Sequence, residues 1–342
     1  MSEKNYISNV EAPGPVDWAE IACDLVSQNK RCVLIFVTSH EGSTPRETGA
    51  WALVSDDVCH GTLGGGEVEH LAMADARELL SGQKQWQRTS EKFHLGPDLG
   101  QCCGGVMDAF FEPVNVNSLS WLKQVVDVDG AGYILFPLSE PPSAPQVMAG
   151  VVPENLAETA GLHIQPLMDD RPKVVLYGAG HIGRSIAVMA AQMPVRLEVV
   201  DERPEALENI SPARNIKVTQ RESPPAHAKE LEDADAVLIM THNHGLDYRL
   251  CQMLIGKIDI AYLGLIGSAS KAARFRNGLA KEGFCDREIE HLTCPIGRYG
   301  PLGKEPGVIA LSALTEIMQI LRSGQIGDTN HEANKKSIER QP

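Results

Sequence analysis

The chain alternates between helical and strand-like spacing of its apolar residues, and each change of period marks an element. Residues 18–28 carry apolar side chains at helical spacing, which predicts an amphipathic helix. The run CVLIFVTSH at 32–40 then has the length and β-branched content of a strand, and WALVSD at 51–56 predicts a second. Between them lies EGSTPRETGA, all turn chemistry. CHGTLGGG at 59–66 leads into a helix starting near Glu67, whose carboxylate suits the positive end of the helix dipole. Strands are predicted at QWQRTSEKF and VMDAFFEPV, separated by the turn-forming HLGPDLGQCCGG. A helix over Leu119–Val126, a strand at GYILFPL and the proline-rich EPPSAPQVM complete this half.

From residue 173 the pattern becomes strand, glycines, helix, and then repeats. KVVLYGAGHIGRSIAVMAAQM is followed by RLEVVDERPEAL, DADAVLIMTHNHGLDYRLCQML and IAYLGLIGSASKAARFRNGLAKEG. Four strands alternating with helices predict a parallel, doubly wound sheet. The fold class expected is α/β: an N-terminal α/β domain with glycine-rich loops over 1–168, and a C-terminal Rossmann-like doubly wound parallel sheet over 169–324. The last residues, 325–342, lack apolar periodicity and read as a disordered tail.

Composition narrows the function classes. A formal charge of −14 argues against a nucleic-acid partner, because such affinity comes mainly from Lys and Arg neutralising phosphates. The N-terminus lacks the build of a signal peptide and no apolar run is long enough to span a bilayer, so the expected location is the cytoplasm, without membrane attachment. The 8 cysteines then read as reduced thiols, and Cys23, Cys32, Cys251 and Cys285 as small apolar filler.

Gly178, Gly180 and Gly183 form a G-x-G-x-x-G turn between strand and helix, with Asp201 at the end of the next strand, where it would accept ribose hydroxyls. Such a turn brings backbone N–H groups and the helix N-terminus to a pyrophosphate. A nicotinamide cofactor, NAD or NADP, is one occupant this permits, and an oxidoreductase using it is one function; a fold with no nucleotide bound is equally compatible. Two further loops should gather at the same sheet edge. In one, His242 and His244 lack a third ligand that the sequence places and read as polar rim; in the other, Ser268 and Lys271 could hold a phosphate at a helix start.

In the first half, Gln101-Cys102-Cys103 is flanked by glycines. A disulfide between neighbouring residues sits far from ordinary geometry, whereas a thiolate in such a loop is a soft metal ligand or a nucleophile. Ser43, Thr44 and Arg46 in one loop, and Gly64, Gly65 and Gly66 in another, have the same polar, open character, Arg46 offering a planar fork and the glycines their backbone N–H groups.

These residues carry a resemblance. GSTPRETGA, GTLGGGEVE and LGPDLGQCCGG, with GAGHIG and TCPIGRYGPLGKEP behind them, resemble the XdhC-type xanthine dehydrogenase accessory proteins of the XdhC/CoxI family, over residues 15–322. The resemblance implies a chaperone rather than an enzyme: a homodimeric protein of purine catabolism that binds molybdenum cofactor (molybdopterin), supports replacement of an oxo by a sulfido ligand, and inserts the cofactor into apo xanthine dehydrogenase. A cysteine desulfurase is the implied sulfur source, and a scaffold joining desulfurase and dehydrogenase is the third reading. The family's cysteine motif falls on Cys102 and Cys103, with Cys103 as the implied molybdenum contact. One departure is Gly267-Ser268-Ala269-Ser270-Lys271, where the family commonly has an arginine after the serine; this removes a positive fork beside the expected phosphate position.

Overall fold

The computed structural model describes residues 14–325 except 43, 45, 96–104, 129, 140–142, 154–155, 157–160 and 258, and in 323–325 the backbone alone. The chain forms two compact units, Met1–Asp170 and Arg171–Pro342.

The first unit is built on an antiparallel sheet of order β3-β2-β1-β5-β4, comprising β1 (Cys32–Glu41), β2 (Trp51–Ser55), β3 (Cys59–Gly61), β4 (Thr89–His94) and β5 (Val106–Val114). β1 opens on the unbroken apolar run CVLIFV at 32–37 because both faces of that stretch are covered. Cys32, Leu34 and Phe36 pack with α1 (Asp17–Ser27) and α3 (Leu119–Val126), while Val33, Ile35 and Val37 face α2 (Gly66–Ser81). Burying each of the larger side chains stabilises the unit by about 1.5–3 kcal/mol.

A second sheet, β7-β6-β8, is formed by β6 (Gly132–Pro137), β7 (Gln146–Ala149) and β8 (Leu162–Pro166). Ile134 and Phe136 from β6 complete the α1/α3 core. His163 of β8 stacks on Phe136 at 5.7 Å and lies 4.4 Å from the Phe110 ring, and its Nε2 is buried with no hydrogen-bond partner among the described residues. Burial, with the Arg88 charge adding to it, pushes this imidazole down to about 4, so it sits neutral among the phenyl rings. A depressed histidine contributes stability that is complete above its unfolded value of 6.5 and is lost as pH falls through 6.5 toward 4. His163→Phe is therefore expected to flatten the acid limb of the unfolding free energy between those values, by up to about 3 kcal/mol; urea titrations at stepped pH measure it, and an unchanged slope would count against the assignment.

The second unit is a parallel sheet of order β11-β10-β9-β12-β13-β14, from β9 (Lys173–Tyr177), β10 (Arg196–Asp201), β11 (Ile216–Gln220), β12 (Ala236–Ile239), β13 (Tyr262–Leu265) and β14 (Leu292–Thr293). α4 (His181–Ala190), α5 (Pro204–Leu207) and α10 (Pro306–Gln325) pack on one face. α6 (Pro224–Glu230), α7 (His244–Leu254), α8 (Ala269–Lys281) and α9 (Asp286–His291) pack on the other. The expected doubly wound sheet is thus present, with β11 and β14 added at its edges. Strand order reverses between β9 and β12, the place where folds of this kind receive ligands. Among the described residues no helix is long and apolar enough to cross a membrane.

Candidate functional site

Pairing register in the first unit settles where its glycine-rich loops begin. Glu41 pairs with Val106, which pairs with His94; Phe36 pairs with Trp51, and Ala52 with Gly61. The chain therefore leaves and re-enters the five-stranded sheet at one end for all three polar segments: 42–50, 62–65 and the stretch between Leu95 and Gly105. Leu95 N–H donates to the Gly105 carbonyl at 2.8 Å, closing the base of the last one. Gln101, Cys102 and Cys103, like Ser43, lie outside the described residues.

Of the first loop's expected residues, Thr44 donates its hydroxyl to the Arg46 carbonyl at 3.0 Å, and Arg46 itself is exposed. His40 and Thr48 meet across the loop at 3.2 Å. Beside them Asp108 accepts from Ser39 at 2.5 Å and from Lys92 at 3.1 Å; burial alone would raise its carboxyl, but these bonds hold it below the usual range.

The triple glycine behaves differently from the expectation of open N–H groups. Gly64, Gly65 and Gly66 all take positive φ, of 107°, 77° and 72°, which explains three glycines in succession. The resulting concavity is filled by the protein's own carboxylate. Glu69 accepts from Leu63 N–H at 2.7 Å, Gly65 N–H at 3.1 Å and the Thr62 hydroxyl at 2.6 Å, and that hydroxyl also accepts from Gly64 N–H at 3.0 Å. The loop is thus held from within, and those donors are not free for a ligand. Glu67 lies at the start of the helix, but Glu69, further into the first turn, is the residue that closes the loop.

In the second unit the G-x-G-x-x-G glycines have separate reasons. A Cβ on Gly178, at φ 121°, would lie 2.3 Å from the Met240 carbonyl oxygen, and one on Gly183 would lie 2.2 Å from the Gly178 carbonyl oxygen; both glycines allow the turn to close on β12 and α4 to close on the turn. A Cβ on Gly180 would meet nothing within 4 Å, so that position alone faces open space. Asp201 sits at the end of β10 as expected, but its oxygens are in use by Ala179 N–H and by Arg203.

The last two loops are also internally committed. Ser268 caps α8, accepting from Lys271 N–H at 3.3 Å. The Lys271 ammonium is drawn inward to Asp247 at 2.6 Å and the Ile266 carbonyl at 2.9 Å, so it braces α7 against α8 instead of reaching outward for a phosphate. Asp247, fully buried, also accepts from the Thr241 amide and hydroxyl. His242 lies 3.7 Å from the Glu202 carboxylate and His244 lies 3.5 Å from Arg274. Among the described residues no group of three or more His, Cys, Asp or Glu is placed to hold a metal ion.

Six cysteines are described, all free, and Cys32, Cys59, Cys251 and Cys294 are buried. Burial pushes the Cys32 thiol up to about 12 and Cys59 to about 11, and raises Cys251 and Cys294 as well. Cys285 departs from the expected filler role, being exposed at the start of α9.

Comparison with known proteins gives matches in both units. The model of the XdhC and CoxI family matches residues 25–90, and that of the XdhC Rossmann domain matches residues 174–317, together more than half of the chain. The chain is 26% identical to the protein YqeB of Escherichia coli (strain K12) over 87% of its own length, and spans 45% of that relative. It is 23% identical to a probable xanthine dehydrogenase subunit of Bacillus subtilis (strain 168), covering 86% of this chain and 94% of that one. A crystal structure described as a xanthine dehydrogenase from Bacillus halodurans shares the fold, with a TM-score of 0.69, 20% identity, and coverage of 93% of this chain and 98% of that one.

Proposed function

The chain belongs to the XdhC and CoxI family, and from that premise we propose that it is an accessory protein of a xanthine dehydrogenase, which receives molybdenum cofactor as cargo, holds it while sulfur from a cysteine desulfurase replaces an oxo ligand, and delivers it to the apo-dehydrogenase. The observation that carries this reading is the common origin of the three polar loops. Segments 42–50 and 62–65 and the chain from Leu95 to Gly105 all depart from one end of the five-stranded sheet. A rigid sheet end presenting several loops is the ordinary way a scaffold positions a binding site.

The chemistry of the residues suits such a cargo. Cys103, with Cys102 beside it, supplies soft sulfur for molybdenum. Arg46 presents a planar fork with five donors, matched to a phosphate or a pterin carbonyl. The loop 62–65, already closed by Glu69, contributes a shaped wall and not an anion cradle. Homodimerisation, a cytoplasmic location and a place in purine catabolism belong to the same reading.

The test is direct. Purified protein is mixed with molybdenum cofactor, unbound material is removed by gel filtration, and molybdenum and pterin are assayed in the protein fraction; the loaded fraction is then added to apo-dehydrogenase. Co-elution of metal and pterin followed by gain of dehydrogenase activity is expected. A protein fraction free of both would refute the proposal.

A further inference from the structure

The second unit has the strand order and glycine turn that elsewhere seat nicotinamide dinucleotides, and in those folds the carboxylate ending the second strand reads the adenosine ribose through its hydroxyls. That reading requires a carboxylate with free lone pairs facing the ligand. Asp201 occupies the position but does not meet the requirement. It is 4% exposed, and both of its oxygens accept: Oδ2 from Ala179 N–H at 2.8 Å and from an Arg203 terminal nitrogen at 2.8 Å, Oδ1 from Arg203 N–H at 3.0 Å and Arg203 Nε at 2.9 Å.

We propose that Arg203 is an internal occupant of the ribose seat, and that the second unit discriminates against nicotinamide dinucleotides because its own guanidinium makes the bonds a ribose diol would make. Three observations support it. First, the pair is bidentate, the geometry in which an arginine is hardest to displace. A neutral diol offers weaker hydrogen bonds to the same oxygens, so exchange loses interaction free energy. Second, Asp201 is held ionised. Burial would raise its carboxyl, yet the bonds from Arg203 and the two amides outweigh that and keep it below the usual range. Third, the carboxylate ties the glycine turn through Ala179 N–H, so the turn is already organised without a ligand.

The arrangement follows from two residues of spacing. Asp201 ends β10 and Arg203 precedes α5, whose first residue is Pro204. The chain turns tightly there, and the Arg203 side chain, 31% exposed, folds back over the strand end. The proposal does not depend on the cargo reading of the first unit, since it concerns only what the second unit refuses.

Calorimetric titration of the full chain with NAD+ tests it. Calorimetry is the suitable readout because all four tryptophans, Trp18, Trp51, Trp86 and Trp121, lie in the first unit. The parent protein is expected to give no saturable heat with millimolar NAD+. Arg203→Ala is expected to bind NAD+ tighter than the parent by about tenfold or more, the worth of one charge-assisted hydrogen bond freed for the diol. Adding Asp201→Asn to that variant is expected to abolish the gain. Arg203→Met, which keeps the aliphatic stem, repeats the measurement should the alanine variant lose its far-ultraviolet circular dichroism. Equal NAD+ affinity in parent and arginine variants would overturn the proposal, as would folded variants that gain nothing. Binding of NADP+ by the parent would also overturn it, showing that Arg203 reads a 2′-phosphate instead of filling the seat.

Discussion

Replacing Cys103 by alanine is expected to lower the molybdenum retained after gel filtration by about tenfold or more, a loss of the size that follows disruption of a metal ligand or its support. The cysteines differ in whether their thiols can ionise and be reached. Cys32, Cys59, Cys251 and Cys294 are buried, and burial raises all four thiols, so at neutral pH they are protonated and enclosed. Cys23 is partly buried beside Asp24, which adds to burial in raising it. Cys285 is exposed but belongs to the other unit. Cys102 and Cys103 remain, with glycines at 100, 104 and 105 permitting close approach. Cys23→Ala and Cys285→Ser serve as controls and should retain the metal. Cys102→Ala should lose less than Cys103→Ala. Molybdenum per chain, measured by elemental analysis on variants with matching circular dichroism, decides the matter: equal retention by Cys103→Ala and the controls would remove Cys103 from the site.

What was legible in the sequence and what was not separates along the range of the interactions. β1 and β5 could be read almost to the residue, because each is a short run rich in β-branched or aromatic residues, CVLIFV at the start of β1 and Phe110-Phe111 in β5, with turn formers before and after it. The glycine turn was legible for a similar reason, its glycines meeting local steric demands that no other residue fulfils. The strands β3, β8, β11 and β14 were not, because they are short and carry few apolar residues, and nor was β7, which follows directly on a proline-rich stretch; the equally short β2, β12 and β13 are apolar at nearly every position. Site residues divide in the same way. Asp201 could be found from its position, but its partner could not be chosen: a ribose and Arg203 are both chemically suitable, and only the folded turn shows which one is present. A visible signal existed in the cation two residues after the carboxylate. Lys271 is likewise legible as a cation near a helix start, but nothing local ties it to Asp247, 24 residues earlier in the chain. Glu69 is not distinguished by its sequence position, because the N-terminal dipole favours any acid in the first turn and the nearer Glu67 meets that criterion equally well.

A further pair, as far apart in sequence as Asp247 and Lys271, yields the largest expected effect on stability. Arg88, just before β4, forms a bidentate bridge to Glu112 of β5, with Nε 2.5 Å from Oε2 and a terminal nitrogen 2.9 Å from Oε1. Its remaining terminal nitrogen donates to the carbonyls of Pro137 and Ser143, and the guanidinium stacks over the Phe136 ring at 5.4 Å. One side chain thus ties the five-stranded sheet to the strand β6 of the smaller sheet. The Arg88 and Glu112 side chains are only 6% and 7% exposed, so water cannot replace either partner. Arg88→Ala is expected to destabilise the first unit by about 3–5 kcal/mol, because it strands a buried carboxylate and leaves two carbonyls without their donor. Burial already pushes the Glu112 carboxyl above its ordinary range, even with Arg88 attached. Without the arginine it should rise further, so the variant's deficit should shrink as pH falls and Glu112 takes up a proton. Arg88→Met combined with Glu112→Leu removes both charges, keeps volume, and should recover most of the loss, since well-packed apolar pairs commonly match a buried ion pair. Tryptophan emission during urea unfolding reports the first unit alone, because all four tryptophans lie there. A single variant as stable as the parent, or a double variant worse than the single, would show that the bridge does not hold the two sheets together.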